Sequence, residues 1–458
     1  MNMLPESIPD SRIALQFENE LCSFGKLRSR IDAWVSFLNS IPKLKPHDLI
    51  LAQLPNGIEF VALFYAVLQA KGIFMPVDTS SSTEEITRLI QRFKIRFIIT
   101  DRNQFFSLSP TPPLSFPPPL SFLRRQESRL LDFTKEPVFF LKVSPLNSRS
   151  SKKIVPPSSK VIAQFTSGTT GIGKPVLRDY SDLLEECVSV SKRLQLTGRD
   201  KVFCPLRLTH SYALTTCLTS TLYAGATFVG IKQFLPSSLL TPLKKQIQII
   251  AGTPFVYETL LRLPGFRSLS LESVRLCLSA GATLKESVFD DFLSKTGLPI
   301  SQLYGMTETG VVSIQHPFTL KMRHTVGAPL DHIRVEIGNR GRIFVKKKRT
   351  VIRTNDSGSL TQEGYLTLNG RLDTKWNIQG KKVDPKQIEE VLRQYPRVLE
   401  AKVFKTSVIG KELLNAEIVS EKTFSPQSLY RHCLKKLPLF MAPKLFKRVT
   451  RLSQKALI

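Results

Sequence analysis

The chain has 458 residues, of which 42% are hydrophobic and 22% are charged, a balance typical of a folded globular protein. This length exceeds what one hydrophobic core usually fills, so we expect two or more domains. No run of about 18 apolar residues occurs, which argues against a transmembrane helix, and the N-terminal segment lacks the basic-then-apolar pattern of a leader peptide. These absences predict a cytoplasmic protein.

The net charge of +28 is large. Such a charge attracts polyanions, including nucleic acid, acidic lipid headgroups, acidic proteins and phosphorylated cofactors. No nucleic-acid-binding motif accompanies the basic residues, however, and a general basic bias of the parent proteome explains the charge equally well. The six cysteines, at positions 22, 187, 204, 217, 277 and 433, form no CxxC pair. We interpret them as buried, reduced thiols rather than as metal ligands or disulfides.

The first hundred residues alternate between helical and strand-like apolar patterns. Helical spacing covers residues 27–38, 58–69 and 84–93, and compact apolar runs at 48–54, 72–77 and 95–100 indicate strands. Strands that alternate with helices predict an α/β domain with layered sheets and parallel pairing.

A proline-rich break follows. Residues 107–119 contain six prolines, and residues 121–129 (SFLRRQESR) resemble the translated product of a bacterial mobile repeat element. Since repeated proline removes donors from helices and sheets, we interpret residues 107–132 as an inserted surface loop outside the core. A proline-rich partner-binding site is the alternative.

The α/β pattern resumes at residue 160 and changes again after residue 370. A helix at 385–395 and strands at 398–404 and 414–419 are expected in this last part, which we interpret as a small second domain.

A loop rich in threonine, serine and glycine follows a strand-like run at residues 160–165. Its candidate phosphate ligands are Thr166, Ser167, Gly168, Thr169, Thr170, Gly171 and Lys174. Glycines let backbone amides approach an anion, hydroxyls add donors, and lysine adds a positive charge. Gly173 and Lys174 also fit a Walker P-loop, but Pro175 stands where that pattern needs the hydroxyl that binds Mg²⁺.

Five further motifs follow in a recognisable order. They are SAGATL at 279–284, LYGMTET at 303–309, TND at 354–356, GRLD at 370–373 and LSQK at 452–455. With the loop TSGTTGIGKP they resemble the acyl-adenylate-forming (AMP-binding) superfamily, in particular acyl-CoA synthetases and coumarate–CoA ligases. The family's usual loop is TSGTTGxPKG, its T-G-D has Asn355 here in place of glycine, and its S-G-K has Gln454 in place of glycine.

The resemblance implies a fold and a set of roles. A large N-terminal AMP-binding α/β domain would cover residues 1–371, and a small C-terminal α+β lid domain would cover residues 372–458. Implied ATP contacts, besides the loop, are Gly281, Ala282, Tyr304, Gly305, Met306, Thr307, Asp356 and Arg371. By the same resemblance Glu308 would coordinate Mg²⁺, while Thr307 and Lys455 would act on the charge at the α-phosphate.

The resemblance also implies how the acyl group passes from the adenylate to a thiol. Asp373 would be the hinge about which the lid domain rotates. Gly380 and Lys382 would then face coenzyme A, the expected thiol acceptor. An acidic acyl carrier protein is the alternative acceptor, because the chain is strongly basic.

Residues 205–212 (PLRLTHSY) resemble the family's gate to the acyl pocket, with His210 as the catalytic candidate. A helix-capping or core histidine is the simpler interpretation of that residue. Amino-acid-activating relatives carry an acid in this segment, but no Asp or Glu occurs between Asp200 and Glu258. Since an unpaired ammonium is costly to bury, we expect a carboxylic acid without an amine.

The expected activity is therefore ATP-dependent formation of an acyl adenylate, followed by transfer to a thiol. Two alternatives remain at this point. A P-loop nucleotide switch would produce ADP without any acid, and a non-catalytic relative would bind nucleotide without producing AMP.

Overall fold

The computed structural model describes residues 3–41, 44–101, 159–165, 175–348, 350–372, 376–378, 381–408 and 411–449, together with two strands at 114–116 and 138–142. The strands are β1 (Ile13–Phe17), β2 (Glu20–Ser23), β3 (Leu49–Gln53), β4 (Ile73–Pro76), β5 (Phe97–Thr100), β6 (Leu114–Phe116), β7 (Val138–Lys142), β8 (Lys160–Phe165), β9 (Pro175–Asp179), β10 (Lys201–Phe203), β11 (Thr227–Gly230), β12 (Ile249–Gly252), β13 (Leu276–Ser279), β14 (Ile300–Met306), β15 (Gly310–Ile314), β16 (Ala328–Pro329), β17 (Ile333–Ile337), β18 (Arg342–Lys347), β19 (Thr350–Leu360), β20 (Leu366–Arg371), β21 (Trp376–Ile378), β22 (Lys381–Val383), β23 (Val398–Val408), β24 (Lys411–Ser420) and β25 (Leu445–Arg448).

Helices connect most of these strands. They are α1 (Phe24–Ser40), α2 (Ile58–Gln69), α3 (Thr83–Phe93), α4 (Tyr180–Arg193), a π-helix (Tyr212–Leu218) that continues into α5 (Thr219–Tyr223), α6 (Leu240–Leu243), α7 (Pro254–Arg262), α8 (Glu286–Thr296), α9 (Pro385–Arg393) and α10 (Pro426–Lys436). The bounds predicted for α2 and β8 are met to the residue, and the other predicted elements differ at their ends by a few residues.

The central sheet has nine strands in the order β16-β15-β14-β13-β12-β10-β11-β1-β2. Strands β10 to β14 pair in parallel, so Gly252 lies beside Ser279, and Ser279 lies beside Gln302. Alternate residues of these strands enter two separate apolar clusters, which explains why the strands are continuous hydrophobic runs. The carboxyl ends of parallel strands share one edge of the sheet, where α/β proteins bind their ligands.

A second sheet has seven strands in the order β6-β7-β5-β3-β4-β8-β9. Strands β3, β4, β5 and β8 pair in parallel, as predicted, whereas β8 and β9 form an antiparallel hairpin around residues 166–174. Strand β6 lies inside the segment interpreted as a loop, and it pairs with β7 at the sheet edge. That segment therefore contributes one short strand between two prolines, in the edge position that proline tolerates.

The remaining sheets follow the parallel core. Strands β17 to β20 form a four-stranded antiparallel sheet. After it, a cluster of buried side chains runs from Ile378 to Ala442, and every described residue that belongs to it or packs against it comes from this last part of the chain. The predicted fold class, a large N-terminal α/β domain with a smaller C-terminal α+β domain, is confirmed. The boundary after residue 371 stays a prediction.

All six cysteines are buried, as predicted, and none forms a disulfide. Burial raises the pKa of Cys22 to about 11 and that of Cys433 to about 12. In the described part of the chain, no helix combines the length and the apolar character needed to cross a bilayer.

Asp200 is a buried charge that joins the segment before β10 to Arg275, the residue before β13. Arg275 Nε donates to its Oδ1 at 2.9 Å, and the Thr197 amide and hydroxyl donate to its Oδ2 at 2.8 and 3.1 Å. Burial favours protonation, but these donors outweigh it and hold the pKa of Asp200 below its usual range. The stabilisation is therefore present at neutral pH and is lost as the pH falls through the folded-state pKa.

We expect Asp200→Asn to lower the free energy of unfolding by about 1–3 kcal/mol at neutral pH, because Arg275 loses its charged partner. Urea denaturation at neutral and at strongly acidic pH measures this, and the difference from the wild type should shrink in acid. Asp291→Asn on the exposed face of α8 is the control, with a change within about 0.5 kcal/mol. A pH-independent difference at Asp200 would contradict the electrostatic explanation.

Candidate active site

Three segments meet the carboxyl edge of the parallel strands. They are the loop 204–211 after β10, the loop 280–285 after β13, and the turn 307–309 between β14 and β15. The predicted site residues that the structure describes are His210, Gly281, Ala282, Tyr304, Gly305, Met306, Thr307, Glu308, Asp356, Arg371 and Lys382. The other predicted site residues, Thr166–Lys174, Asp373, Gly380 and Lys455, lie outside the described residues.

Tyr304, Asp356 and Arg371 form one connected group. The Tyr304 hydroxyl donates to Asp356 Oδ2 at 2.8 Å, and Arg371 Nη1 lies 3.1 Å from Asp356 Oδ1. Strands β19 and β20 place Asp356 directly opposite Arg371, while Tyr304 reaches them from the central sheet. The structure therefore brings together three residues that are up to 67 positions apart in the sequence.

The hydrogen bond between Tyr304 and Asp356 has a defined direction. Burial raises the pKa of Tyr304 well above its usual value, and the Asp356 carboxylate raises it further, so the tyrosine stays a neutral donor. The Asp356 amide bonds to the Thr354 hydroxyl at 3.2 Å, which fixes the backbone before the carboxylate. An oriented carboxylate beside a guanidinium suits a ligand that carries both hydroxyl and phosphate groups.

The turn that carries Thr307 and Glu308 is closed by Thr309, which is fully buried. The Thr309 amide donates to the Met306 carbonyl at 3.1 Å, and the Thr309 hydroxyl donates to the Gly310 carbonyl at 2.8 Å. A Cβ on Gly305 would lie 2.5 Å from the Gly310 carbonyl oxygen, so no side chain fits there. Thr307 and Glu308 are half-buried at the tip of this rigid turn.

Glu308 fits the metal role expected of it. Within the described residues, the Glu308 carboxylate makes no ion pair. Among the same residues, no group of three Asp, Glu, His or Cys side chains is placed to hold a metal ion by itself. Mg²⁺ is commonly held by one or two carboxylates together with substrate phosphates rather than by an all-protein cage. A single available carboxylate at the half-buried tip of a turn matches that chemistry.

Gly281 and Ala282 lie on the exposed loop directly after β13. Gly281 has a φ of +86°, a backbone conformation that side chains other than glycine rarely adopt. The Ala280 amide donates to the Gly252 carbonyl at 3.1 Å, so the loop begins in register with the neighbouring strand. A flat ligand can pass close to this backbone because no side chain projects from Gly281.

His210 lies in the loop 204–211, two residues before the start of the π-helix, and keeps exposed surface. The protein that crowds around it removes enough hydration to lower its pKa; Asp78 opposes this effect, and Arg207 and Lys381 add to it. His210 is therefore neutral at neutral pH, and it takes up a proton only in more acidic solution than an ordinary histidine. Since Lys381 belongs to β22, this charge comes from the C-terminal part of the chain.

Sequence reasoning missed the side chains that hold this loop. Asn56 Nδ2 donates to the Leu206 and Ile231 carbonyls at 3.0 Å each, and its Oδ1 accepts from the Leu208 amide at 2.9 Å. Gln164 Nε2 donates to the Thr209 carbonyl at 3.2 Å. The sequence did offer one indication of this role. Gln164 is a polar residue next to the end of a mainly apolar strand, directly before the predicted phosphate loop.

Two of the charged residues that act on His210, Asp78 and Lys381, come from other segments of the chain. Asp78 lies two residues after the end of β4. It forms an ion pair with Arg207 and accepts a hydrogen bond from the Ser80 hydroxyl at 2.7 Å. Lys382 lies on β22, opposite Asn377, and its neighbour Lys381 places its ammonium 4.5 Å from the centre of the Phe440 ring.

Comparisons with known proteins agree with this arrangement. The profile of a family described as AMP-binding enzyme matches residues 6–352. A naringenin synthase from Pestalotiopsis fici is 25% identical over 87% of this chain, although the match spans only 16% of that longer protein. A long-chain-fatty-acid–CoA ligase from Yersinia pestis is 22% identical over 93% of this chain and 86% of its own length.

The fold is shared with solved structures of the same kind. An o-succinylbenzoate CoA synthetase from Bacillus subtilis superposes with a TM-score of 0.75 at 22% identity, covering 98% of this chain and 94% of that one. The match of the family profile to most of the chain confirms the family predicted from the sequence. The chain belongs to the AMP-binding enzymes and is acyl-CoA synthetase-like.

Proposed function

We propose that this protein uses ATP to activate a carboxylic acid without an amine and then transfers the acyl group to coenzyme A. The observation that carries the proposal is the group Tyr304–Asp356–Arg371 beside the turn that presents Thr307 and Glu308. One side of this arrangement suits a ribose, and the other suits a polyphosphate. An acid that attacks between them would reach the α-phosphorus.

In the first half-reaction a carboxylate oxygen attacks the α-phosphorus of ATP. A new oxygen–phosphorus bond forms, the bond to the β-phosphate bridging oxygen breaks, and pyrophosphate leaves. Thr307 donates to the charge that develops on the α-phosphate, and Asp356 holds the ribose hydroxyls. The loop Thr166–Lys174 and Lys455 are proposed to hold the leaving phosphates and the reacting oxygens, respectively.

Glu308 is proposed to bind Mg²⁺ together with the ATP phosphates. The ion supplies positive charge that offsets the negative charge developing on pyrophosphate. The protein contributes one carboxylate on a rigid turn, and the nucleotide contributes the remaining anionic ligands.

The electrostatics around His210 support an acid that carries no amine. Asp78 is the carboxylate whose charge acts on His210, but it is already paired with Arg207. The residues between Asp200 and Glu258, which include His210, contain no Asp or Glu. A substrate ammonium bound beside His210 would therefore lack a carboxylate partner from this segment and would be costly to desolvate.

In the second half-reaction a thiol sulfur attacks the acyl carbonyl, AMP leaves, and the thiol proton passes to solvent. Coenzyme A is the proposed acceptor, because the Yersinia relative is named as a CoA ligase and Lys381 and Lys382 offer positive charge to its phosphates. The lid domain is proposed to rotate about Asp373 and present Gly380 and Lys382 to the acceptor. An acidic acyl carrier protein is the second candidate, since the chain carries a net charge of +28.

The central prediction is carboxylate-dependent exchange of labelled pyrophosphate into ATP, measured across a panel of aliphatic and aromatic acids. Lys455→Ala should reduce the exchange rate by about 100-fold or more, because the cation beside the reacting oxygens is lost. Lys447→Ala removes an exposed charge from the same basic C-terminal region and should leave the rate within about twofold.

Three outcomes separate the alternatives. Exchange with none of the acids would rule out the ligase. ADP formation without any acid would instead identify a nucleotide switch, and tight ATP binding without AMP would identify a non-catalytic relative. With an active acid, thioester formation is then compared between coenzyme A and an acyl carrier protein.

A second prediction concerns the nucleotide. Asp356→Asn should raise the KM for ATP by about 10- to 100-fold, because hydrogen bonds to a charged group contribute about 1.5–3 kcal/mol. Tyr304→Phe removes only the donor to Asp356 and should raise the same KM by about 2- to 10-fold. Exchange rates at varied ATP and fixed acid measure both constants.

The matched control is Glu363→Gln, which removes an exposed carboxylate at the other end of the β19–β20 hairpin. Its KM for ATP should equal that of the wild type. Equal increases in the KM for acid and the KM for ATP in Asp356→Asn would contradict a specific ribose contact.

A further inference from the structure

Four charged side chains meet in a buried cluster behind the turn 307–309. Arg178 comes from β9, Asp182 and Glu186 come from α4, and Lys347 ends β18. Their exposed side-chain fractions are 2%, 22%, 1% and 8%, respectively. The cluster contains two positive and two negative groups, so its formal charge is balanced.

Short polar contacts connect the four groups. Arg178 Nε lies 2.7 Å from Asp182 Oδ2, Arg178 Nη2 lies 2.6 Å from Glu186 Oε2, and Lys347 pairs with Asp182. The Thr216 hydroxyl in the π-helix donates to Glu186 Oε1 at 2.6 Å. The cluster thus ties together β9, α4, β18 and the π-helix that follows His210.

The same cluster touches the backbone of the turn at two neighbouring points. Lys347 Nζ donates to the Thr309 carbonyl at 2.9 Å. Gly310 has a φ of +65°, and a Cβ there would lie 2.0 Å from Glu186 Oε2 and 2.8 Å from Arg178 Nη2. The ion pairs therefore press directly against the residues that follow Glu308.

Stability alone gives a weak reason for this arrangement. Removing several charges from water is expensive, and well-packed apolar side chains often serve at least as well in a core. The location is informative instead, because each linked element leads to a different part of the nucleotide site. Strand β9 begins directly after Lys174, and β18 leads through a hairpin to β19, which carries Asp356.

We propose that Arg178, Asp182, Glu186 and Lys347 form a positioning cluster that holds the Glu308 turn in register with the phosphate loop and the ribose carboxylate. Lys347 acts through the Thr309 carbonyl, and Glu186 acts through the close contact with Gly310. The cluster does not touch the substrate in this role. The inference rests on the proposed binding of MgATP at Glu308.

The test replaces Lys347 with methionine, which keeps most of the side-chain volume and removes the donor to Thr309. We expect the Mg²⁺ concentration for half-maximal pyrophosphate exchange to rise about tenfold, with the KM for acid within about twofold of the wild type. Lys347→Arg, which keeps a charged donor, should recover part of the change. Calorimetric titration with ATP, carried out once in Mg²⁺ and once in EDTA, measures the Mg²⁺-dependent gain in ATP affinity. This second readout does not require turnover.

The control is Lys346→Met on the same strand. Lys346 is half-exposed and pairs with Glu336 at 2.6 Å, so its loss should leave the Mg²⁺ requirement and the binding of ATP unchanged. If Lys347→Met fails to fold, the charge-balanced Asp182→Asn/Lys347→Met variant removes the same donor without leaving a buried charge unpaired.

The outcomes are distinct. A folded Lys347→Met or double variant whose Mg²⁺ requirement and Mg²⁺-dependent gain in ATP affinity equal those of the wild type would overturn the proposal. A proportional rise in every KM, matched by a lower unfolding midpoint, would also overturn it, since that result indicates a purely structural role. If no acid supports exchange in the wild type, the proposed function fails, while the calorimetric comparison still decides the role of the cluster.

Discussion

Parallel pairing of β10, β12, β13 and β14 is the constraint on which the rest of the site depends. Because these strands run in one direction, the segments that follow them leave the sheet at the same edge. His210, Gly281 and Glu308 are far apart in the chain, yet each follows one of these strands. The antiparallel strand β15 then returns beside β14, which turns a simple strand end into the rigid hairpin that presents Glu308.

The four-stranded sheet β17–β20 completes the site from the side. Strand β19 brings Asp356 to the Tyr304 hydroxyl, and the neighbouring strand β20 supplies Arg371. Behind the turn, the buried charge of Lys347 links β18 of the same sheet to α4, and Arg178 links α4 to β9. The proposed nucleotide site therefore draws on more than one sheet, and its geometry depends on polar contacts between the sheets as much as on the hydrophobic core within each.

Local patterns predicted the elements well, and contacts between distant elements poorly. Strand β8 and helix α2 could be read from apolar periodicity, and Tyr304 and Asp356 from motifs, but nothing local indicates that their side chains meet. The run Lys346 to Arg349 looks like a solvated basic surface, yet Lys347 is buried because β18 turns alternate residues inward. Arg178, Asp182 and Glu186 lie close together in the sequence, but only the fold brings Lys347 of β18 and Thr216 of the π-helix to them.

The burial of all six cysteines has a chemical consequence for the proposed reaction. An acyl adenylate is an electrophile that reacts with any accessible thiolate, including one on the enzyme that makes it. Cys204 and Cys217 flank the loop that carries His210, but both are buried, and burial raises the pKa of Cys217 well above its usual value. A buried thiol cannot reach the intermediate, so in the proposed reaction the acyl group is kept for the acceptor that enters from solution.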